Sequence, residues 1–276
     1  MKKIKRGFTL VEVALFLAVT GALFVGIMVG TQNSIWQQRY NDTVQGYTNF
    51  LRNIYAEVLN PQGIGDGRSD LAIYGKLIRF GQSVGLDGEE LNGKQAIYVY
   101  DVVGKVEAEE GEDMNGSIIE ALKAVDVSVV MEESDENDEK YIVPAGIVES
   151  YSPAWNSTIE EEDDKTFNGT ILVVRHPGSG VINTLVNKNV TLNINEEIRE
   201  ANSAKSYSDV KSLLTENLSS DLGENKFRAE QVDFCLDMSG VGENSTNRRD
   251  IRIVKKARNA SGVEIIDLDS EDNKCR

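Results

Sequence analysis

Apolar residues run along this chain in three rhythms. From Phe8 to Gly30 they are nearly continuous, 23 residues in which only Thr9, Glu12 and Thr20 are polar. At ~1.5 Å per residue a helix of that length covers roughly 34 Å, enough for a bilayer core of ~30 Å. Beyond Gly30 the pattern becomes that of one helix face. Trp36, Tyr40, Val44, Tyr47, Leu51, Ile54 or Tyr55, and Val58 recur at steps of three and four. Gln37, Gln38, Arg39, Asn41, Asp42, Gln45, Asn49 and Arg52 lie between them, and Leu59-Asn60-Pro61-Gln62-Gly63 carries the stop signals. The spacing predicts one helix over 8–60, about 80 Å long. A membrane helix followed by a separate soluble helix is the alternative.

The third rhythm is short and β-like. Candidate strands are Ala72–Phe80, Gln95–Val103, Val125–Met131, Tyr141–Val148, Thr170–Arg175, Gly180–Val186, Gln231–Asp237, Asp250–Lys255 and Val263–Asp267. Several alternate apolar and polar residues, as a sheet with one covered face does. Ser117–Ala124 and Glu196–Leu218 read as helices and Gly63–Asp70 as a loop. That loop is no phosphate cradle, since no lysine-serine or lysine-threonine pair follows it. The expected class is α+β: a long N-terminal α-helix, half transmembrane and half amphipathic, packed against an antiparallel β-sheet head. The expected organisation is a leader over 1–7, a membrane helix over 8–30, its amphipathic continuation over 31–60, and the head over 61–276.

Charge narrows the chemistry. With 29 basic and 45 acidic residues the chain carries −16. Four of the basic residues (Lys2, Lys3, Lys5, Arg6) precede Gly7, so loss of 1–7 leaves 25 against 45, or −20. A body this acidic repels phosphate backbones. One histidine and two cysteines are too few for zinc sites of four cysteines, paired cysteines and histidines, or three histidines. Serine-histidine-aspartate catalysis would rest on His176 alone. The chain is expected to be non-catalytic and to need no cofactor.

The basic leader ahead of the apolar run places the body outside the cytoplasm. Ordinary secretory signals have shorter apolar regions of ~7–15 residues with the cleavage site behind them. Glu12 is the odd residue, because a carboxylate in a membrane span usually marks a function or an assembly contact. No cation stands between Phe8 and Trp36 to pair with it. A cut after Gly7 would supply one, the α-amino group of Phe8, in the same chain or a neighbouring one. A single-pass anchor with Glu12 near the headgroups is the plainer alternative.

Lys5-Arg6-Gly7-Phe8-Thr9-Leu10-Val11-Glu12, with the apolar helix behind it, resembles the class III signal of type IV prepilins and pseudopilins. The resemblance covers about the first 30 residues. It implies cleavage after Gly7 by a membrane prepilin peptidase, N-methylation of Phe8, and docking of each subunit on the next through Glu12. It further implies other pilin subunits as partners and residence in the bacterial cytoplasmic membrane before assembly into an extracellular filament. Many major pilins carry a proline where this chain has Val29, which favours a minor pilin. A type II secretion pseudopilin is the alternative within the family.

Other features of the head have plainer readings. Glu107–Asp113, Glu132–Glu139 and Glu160–Asp164 are acidic runs without the alternating ligands and central glycine of a calcium loop, and are expected to be solvated loops. Asp267–Asn273 comes closer but also lacks the glycine, so no metal site is predicted. His176 is expected to be a solvated turn residue. Cys235 and Cys275, in a body outside the cytoplasm, are expected to form a disulfide that pins the polar stretch Ser270–Arg276. Its loop of ~40 residues is worth about 4 kcal/mol on the loop-entropy model. Arg248, Arg249, Arg252, Lys255, Lys256 and Arg258 form a basic island, faintly similar to H-type pseudopilins and minor-pilin relatives, some of which bind DNA there. The glycine-arginine-x-arginine signature of that group is absent, since Val263 and Glu264 follow Gly262. Strand-edge cations that discourage sheet-to-sheet pairing are the alternative explanation.

Overall fold

The computed structural model describes residues 9–60, 71–84, 90–105, 116–124, 127–129, 131–136, 139–144, 149–161, 165–188, 227–238, 248–266, 270–271 and 273–275. Gly7, Phe8, the loop Gly63–Asp70, the run Glu107–Asp113 and the expected helix Glu196–Leu218 lie outside the described residues. The chain divides into two compact units, Met1–Thr43 and Val44–Arg276.

The described elements begin with helix α1 (Leu10–Leu59), strands β1 (Leu71–Val84) and β2 (Glu90–Lys105), and helix α2 (Ile118–Ala124). Next come β3 (Val127–Val129), β4 (Met131–Glu136), β5 (Glu139–Pro144), β6 (Glu149–Tyr151), β7 (Ser157–Glu160), β8 (Thr170–Arg175) and β9 (Ile182–Asn187). The chain continues through β10 (Arg228–Ala229), β11 (Val232–Met238), β12 (Asp250–Ile253), β13 (Lys256–Ala257) and β14 (Val263–Ile266). An eight-stranded sheet runs β10-β9-β8-β1-β2-β3, with β13 also on β9 and β6 also on β2. A four-stranded sheet runs β14-β12-β11-β7, and β4 pairs with β5 alone. All the described pairings are antiparallel. The fold is α+β, a long N-terminal apolar helix with antiparallel sheets.

In the second unit, alternation along β1 gives the large sheet two covered faces. Leu77, with Tyr100, Val102, Leu172, Val174, Leu185 and Phe227, packs beneath Ile118 and Leu122 of α2. The opposite face, with Lys76, Ile78 and Phe80, receives the last turns of α1. There Tyr55 Oη lies 2.5 Å from Thr184 Oγ1, and Arg52 donates to the Val263 carbonyl at 3.1 Å. The predicted face positions Val44, Tyr47, Leu51, Ile54, Tyr55 and Val58 are all buried. Tyr47 touches Tyr151 and Phe234, and Phe234 meets Phe80 and Phe167, so aromatic rings join α1 to both sheets. Gly262 stands so close to α1 that a Cβ there would lie 2.7 Å from Tyr55 Cε1.

Several sequence expectations need correction. Val125–Met131 is not one strand: β3 belongs to the large sheet, whereas β4 pairs with β5. The run Glu132–Glu139 is not a loop over its described part but supplies most of β4, with Asp135 opposite Lys140 in register. Opposite charges across a ladder make such an acidic strand tolerable. Strand β5 spans Glu139–Pro144 rather than Tyr141–Val148, and the residues after Pro144 up to 148 lie outside the described set.

Candidate functional site

The first unit is built around exposed apolar surface. Leu10, Val11, Leu15, Phe16, Leu17, Leu23, Phe24, Val25, Ile27 and Met28 all point outward, and α1 is long and apolar enough to cross a membrane. The polar groups in this stretch are satisfied within the helix. Thr20 Oγ1 donates to the Phe16 carbonyl at 2.6 Å, and Thr31 Oγ1 to that of Ile27 at 2.9 Å. Such internal pairing is what an environment without water demands.

Glu12 starts this helix. Its Oε2 accepts from the Thr9 amide and from Thr9 Oγ1, both at 3.1 Å, while the Glu12 amide donates to Thr9 Oγ1 at 3.3 Å. This is a capping box, in which threonine and glutamate three residues apart satisfy each other's backbone donors. A carboxylate at this end also opposes the positive pole of the helix. The sequence points to the α-amino group of Phe8 as the partner of Glu12, whereas the partner in the described helix is Thr9. The threonine-x-x-glutamate spacing before an apolar run was the available signal for Thr9. The same device opens α2, where Glu120 Oε2 accepts from the Ser117 amide at 2.7 Å. Farther along α1, the Arg39 guanidinium lies 5.4 Å from the Trp36 ring centre. Aromatic and cationic side chains of this kind are typical of the edge of a membrane-crossing segment.

In the second unit, two members of the basic island, Arg248 and Arg252, are paired with carboxylates. Arg252 Nε lies 2.6 Å from Asp233 Oδ1, its direct cross-strand neighbour, and Nη2 lies 3.7 Å from Asp250 Oδ2. Arg248 reaches Glu160 and Asp237, each at 3.4 Å. Lys255, Lys256 and Arg258 are exposed, and Arg249 is half-buried. Burial would raise the Asp233 carboxyl, but hydrogen bonds from Arg252, Gln231 and Lys274 hold it below its usual value. Asp250 is wholly buried, and its Oδ1 has no hydrogen-bond partner among the described residues. Burial, reinforced by the neighbouring Asp233 charge, pushes its pKa up to about 6. Cys235 and Cys275 form the expected disulfide, with Cα atoms 5.3 Å apart.

His176 is not solvated. It is 8% exposed, its Nδ1 accepts from the Gly178 and Ser179 amides at 3.2 Å, and its Nε2 lies 3.3 Å from the Gly116 carbonyl. These contacts make it the organiser of the β8–β9 turn. No cluster of three or more histidine, cysteine, aspartate or glutamate side chains able to hold a metal occurs among the described residues. Of Asp267–Asn273, residues 267–269 and 272 lie outside them. Trp155 is 52% exposed and adopts a positive φ of 58°, a left-handed conformation costly for a bulky residue. It sits between β6 and β7, where the chain leaves one sheet for the other.

Comparison with protein-family models, with curated proteins and with solved structures returned no match.

Proposed function

We propose that this chain is a type IV pilin-like subunit, in the manner of a minor pilin. In this reading prepilin peptidase cuts after Gly7, Phe8 is methylated, and the apolar half of α1 leaves the bacterial cytoplasmic membrane to pack among other pilin subunits. The head lies outside the cytoplasm, and its work is adhesive or mechanical. The observation that carries the reading is the exposed apolar stretch of α1 behind a Thr9–Glu12 cap, at the start of a helix whose later turns are buried in an α+β head. Such a stretch needs either lipid or neighbouring helices around it.

A capped Glu12 suits this reading. The carboxylate neutralises the helix start inside an apolar medium, and an oxygen that accepts from Thr9 keeps further acceptor capacity for the amine of Phe8. A secretion pseudopilin is the alternative within the same family. The reading of the head as a DNA receptor loses ground because Arg248 and Arg252 are committed to carboxylates.

Intact-mass and N-terminal peptide analysis of the protein from its own cells tests the proposal. A mature chain that begins at Phe8 and carries one added methyl group supports it. An intact leader, or a cut beyond the apolar run, overturns it.

A further inference from the structure

The disulfide is only one of several holds on the segment Asn273–Cys275. The Lys274 amide donates to Asp250 Oδ2 at 3.3 Å, and Lys274 Nζ lies 3.2 Å from Asp233 Oδ2. Asn273 Nδ2 donates to the Arg248 carbonyl at 3.3 Å, and Asn273 Oδ1 accepts from the Cys275 amide at 2.9 Å. Asp233 and Asp250 are not placed at random relative to the cysteine pair. On β11 Asp233 stands two residues before Cys235, on the same strand face, and Asp250 of β12 is the cross-strand partner of Cys235 itself. One residue, Lys274, therefore bridges the two carboxylates that flank Cys235, and the next residue is Cys275.

A disulfide forms only when both sulfurs are delivered within a narrow geometry. For two cysteines 40 positions apart in the chain, that delivery is an entropic cost. Contacts that dock the segment while the sulfurs are still thiols lower that cost, in the way a tether raises effective concentration. Asp233 is well suited to hold an incoming ammonium, because Arg252 already fixes its other oxygen at 2.6 Å. Asp250 is buried with one oxygen turned to the Lys274 amide. Both acceptors belong to the β11–β12 pair, whose ladder is made by residues 232–235 and 250–253 and not by the segment that carries Cys275.

We propose that Lys274 is a positioning residue for oxidative folding: its side chain on Asp233 and its amide on Asp250 seat the segment so that Cys275 meets Cys235 before the bond forms. With glutathione disulfide as oxidant, the Cys275 thiolate attacks one sulfur and expels a glutathione thiolate. The Cys235 thiolate then attacks the Cys275 sulfur of the mixed disulfide and expels the second. The two electrons lost by the cysteine sulfurs leave as two glutathione thiols, which take up the two protons the cysteines released.

The test is the thiol–disulfide equilibrium of the full chain in detergent micelles, read in glutathione redox buffers by mass after alkylation. The effective concentration of the two thiols should fall about threefold or more in Lys274→Ala and recover in Lys274→Arg, the scale expected for a partly exposed ion pair. A smaller fall, or no recovery with arginine, overturns the proposal. A second readout uses the Cys235→Ser/Cys275→Ser chain. Amide exchange at positions 274 and 275 should stay slowed about tenfold or more relative to a free peptide, and that protection should vanish when Lys274→Ala is added. Full exposure of those amides in the double-serine chain overturns it as well, whereas a merely local packing role for Lys274 would leave the redox equilibrium unmoved.

Discussion

Lys76 of β1 and Glu57 in the last turn of α1 form an ion pair of 2.7 Å, which fastens the end of the helix to the large sheet. The last turn of α1 has no basic residue of its own to answer the negative pole there, and Lys76 takes that place from another element. Asp101, its cross-strand neighbour on β2, brings a second carboxylate oxygen to 2.6 Å from the same ammonium. Burial alone would lower the Lys76 pKa, but hydrogen bonds to Asp101 and Glu57 reverse this and hold it above its usual value.

Lys76→Ala should therefore be among the most damaging changes in the head, about 2–4 kcal/mol, because it removes a buried ammonium and leaves the mostly buried Asp101 carboxylate without it. Glu57→Gln should cost under about 1 kcal/mol, since Glu57 is half-exposed and Asp101 still holds the ammonium. Urea unfolding followed by circular dichroism ranks the two. Equal costs would mean that the helix end, rather than the buried lysine, dominates.

Asp250 predicts an unusual acid response. Its pKa in the folded chain, about 6, lies above its ordinary 3.8, so the folded state holds that proton more tightly than the unfolded state. Its charge therefore costs stability above about pH 6, and stability rises as pH falls from about 6 toward 4. Asp233 works in the opposite sense. Its lowered pKa contributes stability above its ordinary 3.8, which is lost as pH falls further. Asp250→Asn should raise stability at pH 7.5 by up to roughly 3 kcal/mol, seen as a higher melting temperature, and flatten the profile between pH 4 and 6. A melting series against pH for both proteins checks this, and an unchanged slope would remove Asp250 as its source.

The Thr9–Glu12 cap makes two substitutions separable. Glu12→Gln keeps an acceptor for Thr9, whereas Glu12→Ala removes it at a cost of about 1 kcal/mol at the helix start. Amide exchange at Thr9, whose amide donates to Glu12 Oε2, should in micelles be little changed in the first and about fivefold faster in the second. Under the pilin reading both variants should fail to enter filaments, since each removes the charge that meets the Phe8 amine. Filaments that accept Glu12→Gln would reduce Glu12 to a capping residue.

Gly262→Ala tests the seat of the helix on the head. Its new Cβ would lie 2.7 Å from Tyr55 Cε1 and 2.8 Å from Ala257 Cβ, both in the packed interior. Overpacking of this kind costs about 1–3 kcal/mol. The change should lower the unfolding midpoint, and pairing it with Tyr55→Leu should restore part of the loss.

The helix face was readable in the sequence because burial from Val44 to Val58 follows the 3.6-residue period alone. At Trp36 and Tyr40 the same rhythm continues, but both are only half-buried, since periodicity names a face and not what covers it. Alternation found β8 to the residue yet joined β3 to β4, because a change of sheet leaves the period of two intact. Strand β7 carries a single aliphatic residue, Ile159, and was missed. Its Ile159 amide donates to the Gln95 side-chain oxygen at 2.7 Å, a backbone-like contact that no local pattern announces. The disulfide was legible because two cysteines leave one pairing. The grouping of Asp233, Asp250 and Lys274 was not, since the β11–β12 register brings the two aspartates together and a segment distant in sequence adds the lysine.

The positive φ of Trp155 has a practical consequence. The chain holds two tryptophans, Trp36 in the first compact unit and Trp155 in the second. Each unit therefore carries its own fluorophore, and a Trp36→Phe or a Trp155→Phe chain glows from one unit alone. Because Trp155 is half in water and held in a left-handed turn that loosens on unfolding, its emission and quenching by acrylamide follow the crossing between the two sheets. Trp36, beside Arg39 at the end of the apolar stretch, follows the polarity around the helix instead. One pair of spectra can thus follow the folding of the head separately from changes in the surroundings of the apolar helix.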